Sequence, residues 1–187
     1  MSRFRDALWE EALNARRSRV PALTALAFSL APLVGGLFMV ILMDPARARA
    51  MGLISQKAQL VGAADWPTFF GLIAQATAVG GALVFAFAAA WVFGREFADH
   101  TAKELLALPV SRASSVTAKF AVLPLWTATL TALVLAVGTA VGLPGWLVSL
   151  AWQGAGDVAI SAGLTLAVTM PVALLASMGR GYLPGLA

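Results

Sequence analysis

Glu96, His100 and Glu104 stand four residues apart in Phe93–Arg112 (FGREFADHTAKELLALPVSR), with Asp99 beside them. On a helix, residues at this spacing share one face, so two carboxylates and the only histidine of the chain would converge. Such a set could ligate a metal or act as a general base. Arg95, Lys103 and Arg112 lie in the same stretch, and mixed charges at helical spacing form ion pairs along a solvated face. The ion-paired reading accounts for all of these residues. No catalytic, cofactor-binding or metal-binding role is therefore assigned.

Other enzymatic signatures are missing. None of Lys57, Lys103 and Lys119 follows a glycine in a G-x4-G-K-[ST] frame, so there is no P-loop to hold ATP. The H-E-x-x-H and G-x-S-x-G patterns are absent as well. With no cysteine, thiolate catalysis, disulfides and iron–sulfur ligation are excluded. The net charge of +4 could suit nucleic acid, but the basic residues flank apolar runs rather than forming one soluble face. No nucleic-acid partner is expected.

The elements that must position Phe93–Arg112 are apolar. Lys, Arg, Asp and Glu are absent from Val20–Met43, Trp66–Gly94, Phe120–Gly156 and Val158–Gly179, runs of 24, 29, 37 and 22 residues. A helix crossing the hydrocarbon core needs about 20 apolar residues. The sequence predicts an all-α, polytopic helical membrane protein with spans near Val20–Met43, Phe69–Phe93, Phe120–Val141 and Val158–Ser177. A soluble helical core fits poorly: charged residues make up 12% of the chain, against about 25% in average soluble proteins. The spans offer only Gln75, serines and threonines as polar groups. Ion-driven transporters keep ionisable groups at membrane depth, so a transporter built from these spans would need an external energy source.

Basic residues set the expected topology. Met1–Arg19 holds five, Asp44–Asp65 three, Arg95–Lys119 four, Leu143–Asp157 none and the tail one. A cytoplasmic N-terminus places ten of the thirteen inside, as the positive-inside rule expects. Trp66, Trp146 and Trp152 would then mark the outer interface and Trp9 and Trp91 the inner one, with Trp126 a turn or two deeper. Ala46-Arg47-Ala48 and Ala48-Arg49-Ala50 resemble signal cleavage sites. The run before them is far longer than the 7–15 residues or so of a signal h-region, so an uncleaved first span is expected.

Residues 1–19 read as a helix on the cytoplasmic membrane surface. Phe4, Leu8, Ala12 and Ala15 form its apolar stripe, with Arg3, Asp6, Glu10 and Arg17 opposite. Pro21 suits the first turn of the first span, while Pro32 and Pro171 fall inside spans. Gly35-Gly36, Gly80-Gly81 and Gly138-x3-Gly142 would permit close helix approach. Leu143–Trp152, broken by Pro144 and Gly145, is too short for a helical hairpin and reads as an interfacial or re-entrant element.

Three segments carry a resemblance: Glu10–Pro21 (EEALNARRSRVP), Ala64–Leu72 (ADWPTFFGL) and Phe93–Arg112. The last supplies Phe93, Gly94, Arg95 and Glu96, then Thr101, Leu105, Leu106, Leu108, Pro109, Ser111 and Arg112. Together they resemble the permease subunits of type-2 ABC transporters, particularly the small bacterial group associated with lantibiotic and bacitracin resistance. His100 occupies a position where related permeases commonly have glycine. The resemblance implies one transmembrane permease domain over 1–187, with a cytoplasmic coupling loop at 94–119. Six spans are usual in the family, so spans five and six are expected to be missing beyond Gly179–Ala187.

The resemblance also implies that ATP acts through a separate cytoplasmic ABC ATPase, with a second permease chain as homo- or heterodimer partner and membrane lipid around both. The ATPase-coupling segment would comprise Arg95, Glu96, Asp99, Thr101, Lys103, Glu104, Leu105, Leu106, Leu108, Pro109 and Arg112. Leu105, Leu106 and Leu108 would form its apolar ridge, the charged residues a rim that fixes register, and Pro109 its end. Ser111 would cap the helix leading to Lys119. The expected activity is export of a hydrophobic or amphipathic compound across a bacterial plasma membrane. A non-transporting membrane scaffold or accessory protein, and a membrane enzyme centred on Glu96, His100 and Glu104, are the alternatives.

Overall fold

A computed structural model of the protein describes residues 2–55, 62–98, 112–142 and 151–178. Every regular element among them is helical: α1 (Ser2–Arg17), α2 (Val20–Met43), α3 (Pro45–Ala50), α4 (Trp66–Ala98), α5 (Arg112–Gly142) and α6 (Ala151–Met178). Local chemistry sets the boundaries. Pro21 stands in the first turn of α2, where a missing N–H removes nothing the helix uses. Asp44 ends α2, and its carboxylate accepts the Arg47 amide to start α3. Asp65 does the same for α4 by accepting the Thr68 amide at 2.9 Å.

Four helices are long and apolar enough to cross a membrane, over Val20–Met43, Trp66–Gly94, Ser115–Gly142 and Gly154–Leu175. The protein is an all-α, multi-pass membrane protein. The spans alternate in direction: Trp66 at the start of α4 lies against Gly142 at the end of α5, and Phe70 of α4 lies against Gly154 of α6. The α4–α6 contact is the most extensive in the bundle, α2 packs on α4 and α5, and α1 seats on α5.

Lipid tails are as apolar as the side chains they would replace, so such helices associate by close packing more than by the hydrophobic effect. The core is accordingly aromatic residues set against small ones. Trp66, Phe69, Phe70 and Ile73 are buried on α4. Gly36 and Gly142 admit Val141 and Trp66, and Gly138 sits against Ile73 and Phe69. Of the Gly80-Gly81 pair only Gly81 packs, against Phe28 and Phe85; Gly80 faces open space. The buried Thr24, Thr131, Thr165 and Thr169 turn their hydroxyls to carbonyls of their own helices, as in Thr131 to Thr127 and Thr165 to Ser161. Among the described residues, Thr77 is buried with an unpartnered hydroxyl.

Several expectations change. Trp66 stands at the end of its span but is 3% exposed and stacks on Phe70, so its ring packs inside the bundle instead of facing lipid. Trp126 meets Trp91 edge-on at 6.0 Å, which puts Trp91 at the level of Trp126, inside the span. The Asp44–Asp65 connection contains α3. A third proline, Pro124, lies inside α5. Trp152 belongs to α6, while 143–150, including Trp146, and 179–187 are outside the described residues.

Candidate functional site

The expected coupling stretch at 94–119 is not a loop throughout. α4 continues as helix past its span through Arg95 and Glu96 to Ala98, and α5 begins at Arg112. Asp99, His100, Thr101, Lys103, Glu104, Leu105, Leu106, Leu108, Pro109 and Ser111 lie outside the described residues. What the structure describes is the pair of helix ends from which that segment leaves and returns.

Those ends are joined by Lys119. Its side chain is 4% exposed, and Nζ donates to the Val92 carbonyl of α4 at 3.0 Å. The same ammonium lies 3.8 Å from Glu11 Oε1 of α1 and 5.9 Å from the centroid of the Phe93 ring. Phe93 in turn packs on Phe120 with centroids 4.9 Å apart. Burying an ammonium is costly unless it is paired and hydrogen-bonded, and here a carbonyl, a carboxylate and an aromatic face supply that compensation. One side chain of α5 thus ties α1, α4 and α5 together at the base of the polar segment.

A second tier lies one to two turns further along α5. Trp126 donates its indole N–H to Thr24 Oγ1 of α2 at 3.2 Å, and the Thr24 hydroxyl bonds back to the carbonyls of its own helix. Trp91 closes the tier from α4. Around the tiers, Ala88, Ala89, Ala90 and Val92 pack with Leu123 of α5 and Ala173 of α6. Methyl side chains at three successive α4 positions let neighbouring helices approach closely.

Sequence reading missed this junction. The span expected at Phe120–Val141 leaves Lys119 outside, whereas the helical span runs from Ser115 to Gly142 with Lys119 as its lone charge. An isolated cation inside an apolar helix calls for a counter-charge, and that signal was available. The identity of the partner was not, because Glu11 belongs to another helix far away in the chain. Among the described residues no group of His, Cys, Asp and Glu could hold a metal ion. The junction's chemistry is mechanical: it fixes the ends of two helices relative to a third.

The family profile described as ABC-2 family transporter protein matches residues 7–187. The chain belongs to the ABC-2 transporter family. ABC-2 membrane proteins are the transport component, not themselves catalytic, and work with an ATPase partner. The match includes Glu11, Lys119 and both helix ends. Comparison with curated proteins and with solved structures finds no match.

Proposed function

We propose that this chain is the permease subunit of an ATP-driven exporter in a bacterial plasma membrane, with its N-terminus in the cytoplasm. It moves a hydrophobic or amphipathic compound, of the kind whose removal gives antibiotic resistance, at an interface with a second permease chain. A separate ABC ATPase supplies the energy by pushing on Arg95–Arg112. The observation that carries this reading is the Lys119 junction. A force on the segment between Ala98 and Arg112 reaches two helix ends bound through a buried ammonium, and α1 is bound to the same group. Displacement is therefore delivered to three elements at once instead of dissipating in a loose connector.

The test is purification of the chain in mild detergent from its native cells, with any co-purifying ABC ATPase identified by mass spectrometry. The wild-type chain should retain the ATPase, and Glu96→Lys with Glu104→Lys should reduce recovery about tenfold, since reversed rim charges oppose the register they otherwise fix. Absence of ATPase from the wild-type preparation would overturn the proposal.

A further inference from the structure

The apolar stripe expected on α1 is not consumed by the bundle. α1 seats on α5 through Ala7 and Glu11, which are buried. Phe4 and Trp9 remain 39% and 68% exposed, and Leu8 is half-buried. Between α1 and α5 lies an open groove of about 610 Å³ whose walls change character along its length. Arg5 and Asp6 flank it near the N-terminus of α1, Leu8 and Trp9 follow, and Val122 and Leu125 face them from α5. The side chains of Arg5 and Asp6 form no hydrogen bond or ion pair among the described residues. From Val122 to Leu125, α5 advances one turn into its apolar span.

We propose that this groove binds one membrane phospholipid with a primary-amine, zwitterionic headgroup, that is, a phosphatidylethanolamine. The Arg5 guanidinium donates to the phosphate, a geometry that suits its planar fork. The Asp6 carboxylate accepts from the ammonium. An acyl chain follows Val122 and Leu125 toward the core, with Trp9 at the boundary between headgroup and hydrocarbon. Charge complementarity selects the class. A purely anionic headgroup would gain Arg5 but meet Asp6, and a choline headgroup has no N–H to give Asp6. The groove between α2 and α4 offers Gln75 but no charged side chain, so nothing there fixes a headgroup. The proposal rests on the membrane spans and not on transport, so it stands or falls independently of the ATPase.

The full chain, purified in detergent and stripped of lipid, would be titrated with phosphatidylethanolamine, phosphatidylcholine and phosphatidylglycerol under native mass spectrometry. One phosphatidylethanolamine per chain should be retained at least fivefold more strongly than either of the others. Arg5→Gln and Asp6→Asn should each abolish that preference while circular dichroism shows the helices intact. Equal retention of the three lipids, preference for phosphatidylglycerol, or a preference that survives both substitutions would overturn the assignment. So would a change of oligomeric state in these variants without a change in lipid retention, which would make the occupant a second copy of the chain.

Discussion

At Lys119 the balance of charge and burial can be measured. Replacing it with methionine keeps the unbranched stem but removes the ammonium 3.8 Å from the mostly buried Glu11 carboxylate, and breaking a buried pair from one side costs about 3 kcal/mol. Glu11→Leu leaves the ammonium its bond to the Val92 carbonyl and should cost less. The double variant Lys119→Met/Glu11→Leu removes both charges and should recover about 2 kcal/mol relative to the sum of the single changes. Thermal unfolding in detergent of the four proteins gives the cycle directly, and strict additivity would show that the 3.8 Å approach is not an energetic coupling. This pairing was illegible in the sequence for a physical reason. Helical periodicity reports which residues share a face, whereas a contact between α1 and α5 depends on how two helices dock. Of the residues that sequence spacing made prominent, Glu96 lies in the last turns of α4, while Asp99, His100 and Glu104 fall outside the described residues.

Helices were the most legible level, because a membrane span is specified by length and hydropathy alone. Val20–Met43 was read to the residue, and the other three spans differ from expectation only at their ends. The glycine pairs show where this legibility stops. Gly138 and Gly142 both admit core side chains, but Gly80 faces open space beside a packed Gly81, a distinction made by helix rotation and not by residue type. Gly142→Val and Gly154→Val should therefore each cost about 1–3 kcal/mol by driving Cβ into the Trp66 and Phe70 rings. Gly80→Ala and Gly163→Ala, with nothing near the added methyl group, should be neutral or stabilising. Melting temperatures in one detergent decide between these outcomes.

The start of α4 makes a separate pH prediction. The Thr68 amide and hydroxyl hold the Asp65 carboxyl below its ordinary value. A depressed carboxylate contributes stability that is fully present above its unfolded value and is lost as pH falls through the lower folded value. The first turn of α4 should stay protected at neutral pH and begin to fray only in acid below the usual carboxylate range. Exchange of the Thr68 amide reads this out, and Asp65→Ala should raise that exchange at neutral pH, since alanine offers no cap, with the difference shrinking in acid as the wild-type carboxylate protonates.

Across the whole molecule, exposed side chains define the bundle as clearly as buried ones do. Leu26, Leu30, Leu33 and Leu37 of α2, Val79 and Leu83 of α4, and Ile160, Leu164 and Val168 of α6 are all more than half exposed. Apolar surface on this scale marks an interaction face, here the lipid and any partner permease. Which side of the membrane each end occupies follows from charge distribution, a weaker signal than span length because Arg47 and Arg49 sit at the end opposite α1. The chain contains no cysteine, so single cysteines can report topology against a silent background. Arg17, the last residue of α1, and Met51 after α3 are both exposed. In intact cells Met51→Cys should react with a membrane-impermeant maleimide, and Arg17→Cys should react only after the membrane is opened. The reverse pattern would place the ends of α4 and α5, and the segment between them, outside the cell. No cytoplasmic ATPase could then reach Arg95–Arg112, and the Lys119 junction would have to transmit some other force.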